Sequence, residues 1–204
     1  RRERGGTAAT LATTFHITCA APCPDPLAAA INRYTNLIFF AGLPAGGSGA
    51  TVTKLVVNAT GTAALALGVN ESYALSVPAG GVAIIVAPTQ WGALRGLETF
   101  SQLVQWSAVG ASNVYAVANA PIDIADWPRF PWRGFLIDTS RHYLTVSAIK
   151  ATLDAASYVK MNRMHWHVVD DNSWPLVSEV RVSACVTTAS RRALRSEVPR
   201  LHGR

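Results

Sequence analysis

Charge is scarce in the first half of this chain. Between residues 5 and 94 only Asp25, Arg33, Lys54 and Glu71 are charged. So few charges imply that this part packs against something, or that Thr, Ser and Asn solvate its surface. No uncharged apolar run reaches the ~18 residues of a membrane helix, so no membrane span is expected. Cysteine is limited to Cys19, Cys23 and Cys185. Cys19 and Cys23 can pair in an oxidising compartment, while Cys185 is left over. His16 nearby makes a metal site conceivable, but no second ligand pair follows, and a disulfide or plain thiols are the better reading. A leading Met and a charged-then-apolar leader are also lacking, so the chain reads as a fragment or a processed form.

The remaining composition is that of a globular chain: 204 residues, 50% hydrophobic and 15% charged. The formal net charge is +6, which at first suggests nucleic acid. The excess lies in residues 1–4 and 177–204, and the interior holds as many acidic as basic residues. No patterned basic face exists, which argues against nucleic-acid binding. Two N-x-Ser/Thr sequons, Asn58-Ala59-Thr60 and Asn70-Glu71-Ser72, suit a secreted surface, although such triplets often arise by chance.

Periodicity predicts an α+β domain up to about Asp126-Trp127-Pro128. Asp25-Pro26 opens a helix, with Asp25 as N-cap and Leu27, Ile31, Tyr34 and Ile38 on one face. Three β-like runs follow at 51–59, 72–77 and 81–88, with a turn at Pro78 to Gly81. Thr89 then caps a helix through residues 92–104, in which Gly92 and Gly96 permit close packing. A final β pair covers 106–110 and 113–127. From Arg133 the pattern becomes strand, helix, strand. FLID (135–138) is followed by a helix capped by Thr145 or Ser147, then RMHWHVV (163–169). The expected helix face is Val146, Ile149, Leu153 and Ala156. After Leu176 no period is visible, and 177–204 is expected to be irregular.

Chemistry-bearing side chains gather after these last two apolar runs. In parallel sheets active sites lie at the carboxyl ends of the strands. Arg141 and His142 follow Asp138 there. A guanidinium fork suits vicinal sugar hydroxyls or carboxylates, and the structural alternative is a bridge to Asp138 or Asp170. His165 and His167 share one face of a strand. A zinc site needs more ligands than are present, so a packed strand with carboxylate-bonded histidines is the preferred reading. Asp170 and Asp171 are adjacent and cannot both point inward. Trp127, Trp132, Trp166 and Trp174 lie around the two strands and hint at a sugar-binding wall.

These residues carry a resemblance. WPRFPWRGFLIDTSRHYLTVSAIKATLDAASYVKMNRMHWHVVDDNSWPL resembles the opening of the catalytic barrel of the β-N-acetylhexosaminidases of glycoside hydrolase family 20. ESYALSV and WGALRGLETFSQLV are similar to that family's N-terminal domain. The likeness covers residues 15–176.

It implies an irregular stretch 1–14, an α+β domain 15–127, and the first β-α-β of an incomplete (β/α)8 TIM barrel at 128–176. An off-family, irregular tail would follow at 177–204. The implied activity is exo-hydrolysis of terminal β-linked N-acetylglucosamine or N-acetylgalactosamine, substrate-assisted and without metal or cofactor. Arg141 matches the family Arg that holds the terminal sugar's hydroxyls. Asp170 matches the acidic residue close to the catalytic acid, and His167 stands behind it. The family's catalytic Asp-Glu pair has no counterpart, since the chain contains no Asp-Glu dipeptide. Trp174 stands where Phe is frequent and Thr145 where Pro is common.

The likeness further implies N-acetylhexosamine-terminated glycans as partners, a homodimer of the full-length enzyme, and a lysosomal, vacuolar or extracellular location. The chain alone is expected to be inactive, with open barrel edges that favour aggregation. A metal-dependent barrel hydrolase using His165 and His167, and a non-catalytic carbohydrate-binding module, remain as alternatives.

Overall fold

The computed structural model describes residues 7–20, 23–45, 49–110 and 112–176. The chain divides into two compact units, Arg1–Trp132 and Arg133–Arg204. The expected irregular tail 177–204 lies outside the described residues. Among the described residues no helix is long and apolar enough to cross a membrane.

The first unit contains strands β1 (Thr7–Cys19), β2 (Thr51–Ala59), β3 (Tyr73–Val77), β4 (Gly81–Ala87), β5 (Val104–Val109), β6 (Ser112–Ala120) and β7 (Ile122–Asp126). Its helices are α1 (Asp25–Ile38) and α2 (Gln90–Leu103). The seven strands form one mixed sheet in the order β5-β6-β1-β2-β4-β3-β7. β1, β2 and β4 run parallel at its centre, and the flanking pairs are antiparallel.

Several expectations change here. Residues 7–14 belong to β1 and are not irregular. The strand was hidden because its alternation fails: the register against β2 shifts between Leu11 and His16, so the intervening residues bulge out of period. The expected run 113–127 is two strands, β6 and β7, divided at Pro121, and they join opposite halves of the sheet. Proline cannot donate to a ladder, so the run cannot continue through it. Pro24, not Asp25, occupies the N-cap of α1, and no side chain caps it. Asp25 instead lies within the first turn, where its charge complements the helix dipole.

Both helices pack into one core with the sheet. Ala83, Ile85 and Ala87 of β4 are buried in that core, whereas Val82, Ile84 and Val86 on the opposite face are 37%, 42% and 41% exposed. α2 sits close to the sheet because two of its residues are glycines. A Cβ at Gly96 would stand 2.7 Å from Ile85 Cγ2, and one at Gly92 would collide with the Ser72 carbonyl oxygen. Thr89 caps α2 by accepting from Gly92 N at 3.2 Å.

Polar groups inside this unit are paired, as burial requires. Glu71 binds Arg95 Nε at 2.6 Å. Tyr34 donates to buried Glu98 at 2.8 Å, which ties α1 to α2. Burial first, and the Glu98 carboxylate second, push the Tyr34 hydroxyl's pKa upward, so it stays neutral. The loop 60–72 has no regular structure but is pinned to α2. Gln90 exchanges hydrogen bonds with both backbone groups of Ala63, and Trp91 Nε1 donates to the Ala63 carbonyl. Cys19 and Cys23 form a disulfide, with Cα atoms 5.7 Å apart.

The second unit holds β8 (Gly134–Asp138), α3 (Val146–Tyr158) and β9 (Arg163–His167). β8 and β9 are parallel, with Gly134 opposite Arg163 and Asp138 opposite His167. Thr145 rather than Ser147 caps α3, accepting from Ala148 N at 3.2 Å. Burial here is slight: Ile137 is the unit's buried apolar residue among those described, while Leu136 and Trp166 are 55% and 48% exposed. No residue of α3 is buried. The division falls at Trp132/Arg133, a few residues past the boundary expected near Trp127.

Candidate functional site

The site is built where β8 and β9 end side by side. Parallel strands in register bring their carboxyl ends to one edge, so the segments following Asp138 and His167 become neighbours. Thr139 N donates to the His167 carbonyl at 3.0 Å, extending the ladder by one bond. Beyond it two serines clasp the segments together. Ser140 Oγ donates to the Ser173 carbonyl at 3.0 Å, and Ser173 Oγ donates to the Ser140 carbonyl at 2.6 Å. Asp170 and Ser173 exchange backbone hydrogen bonds, N to O, at 2.8 and 3.2 Å.

Asp138 is the anchor of this arrangement. Its Oδ1 accepts from the backbone N–H of Ser140 at 2.9 Å and of Arg141 at 3.2 Å, an Asx-type turn. Its Oδ2 accepts from Arg141 Nε at 2.6 Å and Nη2 at 2.5 Å. Arg141 Nε also lies 3.5 Å from Asp170 Oδ2. The side chain of Arg141 is 57% exposed, against 15% for Asp138 and 29% for Asp170. Two carboxylates therefore hold one edge of the guanidinium. Nη1 bonds to none of the described residues and remains available to a ligand.

Both carboxyls titrate below the ordinary carboxylate range. At Asp138 desolvation is the largest influence and pushes upward. The N–H and guanidinium of Arg141, the N–H of Ser140 and the guanidinium charge together outweigh it. At Asp170 the N–H of Asp171 acts most strongly, followed by the His167 imidazole and the Arg141 charge, against desolvation. His167 Nε2 is buried, makes no hydrogen bond among the described residues, and lies 3.4 Å from Asp170 Oδ2.

The sign follows from linkage. A depressed folded pKa stabilises the contacts of Asp138 and Asp170 with Arg141 and the backbone N–H groups above the unfolded carboxylate value of about 3.9, and the benefit is lost as pH falls through the lower folded values. Acid is therefore expected to weaken the hold of Asp138 and Asp170 on Arg141 below the usual carboxylate range. NMR titration of the Asp138 and Asp170 carboxyl carbons checks this, and midpoints at or above ordinary values contradict it.

The remaining sequence candidates fall around this centre. His165 and His167 share a face, with ring centroids 6.3 Å apart. Among the described residues no group of three or more His, Cys, Asp or Glu is arranged to hold a metal. His142 and Asp171 are exposed. Trp166 Nε1 donates to Thr139 Oγ1 at 2.8 Å, which gives that tryptophan a place in the strand-end network. The Ser140–Ser173 clasp was not anticipated. Nothing local marks it, because each serine's partner lies more than thirty residues away.

Residues 7–103 match the family described as "beta-acetyl hexosaminidase like", and residues 130–198 match "Glycosyl hydrolase family 20, catalytic domain". The chain belongs to glycosyl hydrolase family 20. The catalytic-domain match runs on to residue 198, past Leu176. The chain is 54% identical over 109 residues to the rat beta-hexosaminidase subunit beta, covering 53% of the chain and 19% of that relative. It is 47% identical over 132 residues to beta-hexosaminidase 1 of Arabidopsis thaliana, covering 62% of the chain and 24% of that relative. Among solved structures it is similar to a Flavobacterium johnsoniae chitobiase, with 31% identity and a TM-score of 0.68. That similarity covers 84% of the chain and 26% of the chitobiase. This family 20 chain thus spans about a fifth to a quarter of such relatives.

Proposed function

We propose that this family 20 chain is part of an exo-acting β-N-acetylhexosaminidase that removes terminal β-linked N-acetylglucosamine or N-acetylgalactosamine. Residues 7–132 form its N-terminal α+β domain, and 133–176 supply the first strand, first helix and second strand of a (β/α)8 catalytic barrel. The observation that carries this reading is the Arg141 guanidinium, held along one edge by Asp138 and Asp170 at the carboxyl end of a parallel strand pair. A fork fixed along one edge donates from the other to adjacent sugar hydroxyls without paying much side-chain entropy.

The chemistry is substrate-assisted. The acetamido oxygen of the sugar attacks the anomeric carbon, while a glutamic acid protonates the leaving oxygen. Arg141 positions the terminal ring for that attack. Asp170, with His167 beside it, faces the region where the acid stands. The chain supplies no Asp-Glu dipeptide for the acid and its acetamido-orienting partner, so these 204 residues alone are inactive. The exposed apolar residues Leu136, Val146, Leu153 and Trp166 are the surface that further barrel elements cover. The Cys19–Cys23 disulfide supports an oxidising, secretory location.

The test uses a chromogenic N-acetylglucosaminide. The 204-residue chain is expected to release no chromophore above buffer, whereas a longer protein carrying the remaining strands and an Asp-Glu pair is expected to release it, with or without a chelator. Turnover by the short chain, or a longer protein that is silent or needs metal, overturns the reading.

A further inference from the structure

We infer that Asn70, and not Asn58, is a site of N-linked glycosylation in this protein. Both asparagines stand in sequons, but the fold treats their amides and their hydroxyl partners in opposite ways.

Asn70 is exposed. Its Oδ1 accepts two hydrogen bonds from Ser72, from the backbone N at 2.9 Å and from Oγ at 2.7 Å. This is an Asx turn completed by the sequon's own hydroxyl. A hydroxyl donating to Oδ1 draws electron density from the carboxamide and makes an Nδ2 proton easier to lose. Nδ2 itself is bonded to none of the described residues. The turn is held from behind, since Thr89 Oγ1, at the N-cap of α2, donates to the Asn70 carbonyl at 2.5 Å. The middle residue of the sequon, Glu71, is buried and paired with Arg95 at 2.6 Å. Glu71 therefore anchors the triplet inward while Asn70 faces solvent, where a bulky glycan is accommodated.

Asn58 differs at each point. It lies in β2, a central strand bonded to β1 on one side and β4 on the other, and stands opposite Val86. It is only half-exposed. Its sequon hydroxyl is turned elsewhere: Thr60 Oγ1 donates to the Ala87 carbonyl at 3.3 Å, and Thr60 N donates to the same oxygen at 2.9 Å. The hydroxyl that assists at Asn70 is thus occupied by the sheet at Asn58.

The co-reactant is an oligosaccharide linked through pyrophosphate to a lipid carrier. Asn70 Nδ2 bonds to the anomeric carbon of the first sugar as the bond from that carbon to the phosphate oxygen breaks. The lipid pyrophosphate leaves with the electron pair, and the Nδ2 proton passes to a base of the transferring enzyme.

The experiment carries the full 204-residue chain into the secretory lumen of a eukaryotic cell behind an appended leader peptide, and scores only leader-processed chain. The chain is expected to run as a single species one glycan heavier, returned to the bare mobility by peptide:N-glycosidase. Asn70→Gln and Ser72→Ala each abolish the shift, Ser72→Thr retains it, and Asn58→Gln and Thr60→Ala leave it unchanged. Glycosidase release in 18O water places the label at residue 70. A bare wild-type chain, a shift that survives Asn70→Gln, or label at residue 58 overturns the assignment. None of these readouts depends on hexosaminidase activity, so the assignment and the proposed function fail separately.

Discussion

Arg95→Met is expected to lower the stability of the first unit by about 3–5 kcal/mol, the usual cost of removing one partner of a buried ion pair. The Glu71 and Arg95 side chains are 5% and 16% exposed, and their contact is 2.6 Å. Methionine keeps most of the aliphatic volume of arginine, so the loss reports the guanidinium rather than a cavity. The Glu71 carboxylate then stays in a dry position at the entry to β3 without the guanidinium, and loop 60–72 loses a fastening to α2. Urea unfolding followed by circular dichroism measures the effect. The double variant Glu71→Gln/Arg95→Met is expected to recover a large part of it, because no charge remains buried. A single variant within about 0.5 kcal/mol of the parent, the range of an ordinary surface substitution, shows that the pair carries little.

Arg141→Ala, made in a longer family 20 protein with the rest of the catalytic domain, is expected to reduce kcat/KM about 10- to 150-fold. That range corresponds to the roughly 1.5–3 kcal/mol of a charge-assisted hydrogen bond. Two effects combine in it. The substrate loses the donors of the guanidinium, and Asp138 and Asp170 lose one of the groups that lower their pKa values, the backbone N–H donors remaining. Arg141→Lys separates them, since it returns a positive charge but not the planar fork. Lysine is expected to restore the low carboxyl pKa values while leaving most of the kinetic loss. Asp138→Asn leaves the guanidinium in place but weakens its seating, so KM is expected to rise more than kcat falls. An Arg141→Ala enzyme within a factor of about two of the parent, a change of under 0.5 kcal/mol, removes Arg141 from substrate binding.

Much of the local structure was legible because its cause is local. Thr89 before a helical run is a cap wherever that run goes, and here it accepts from Gly92. Gly92 and Gly96 signalled close packing, and Ser72 and Ile85 are what they approach. The strand, helix, strand pattern after Arg133 needed only changes of hydrophobic period, and β8 and β9 pair in parallel. β1 was missed for an equally local reason, since its bulge breaks the alternation on which strand reading depends.

At the candidate site the two competing readings of Arg141 turned out to be compatible. The bridge to Asp138 and Asp170 is present, and more than half of the side chain is still exposed. No spacing in the chain could have joined Ser140 to Ser173, because their bonds exist only once the two strands lie in register.

The sequence by itself determined the Thr89 cap and the glycine contacts of α2, the Asp138 turn that seats Arg141, and the motifs that place the chain in family 20. Each is set by residues a few positions apart, or by side-chain chemistry that no packing alters. Tertiary structure alone decided the order of the seven strands, with β6 and β7 sent to opposite halves of the sheet. It also decided the serine clasp, and which sequon hydroxyl turns to its own asparagine rather than to the sheet. These depend on hydrogen-bond partners distant in sequence, and a donor's choice between them is made only when folding brings the acceptors within reach.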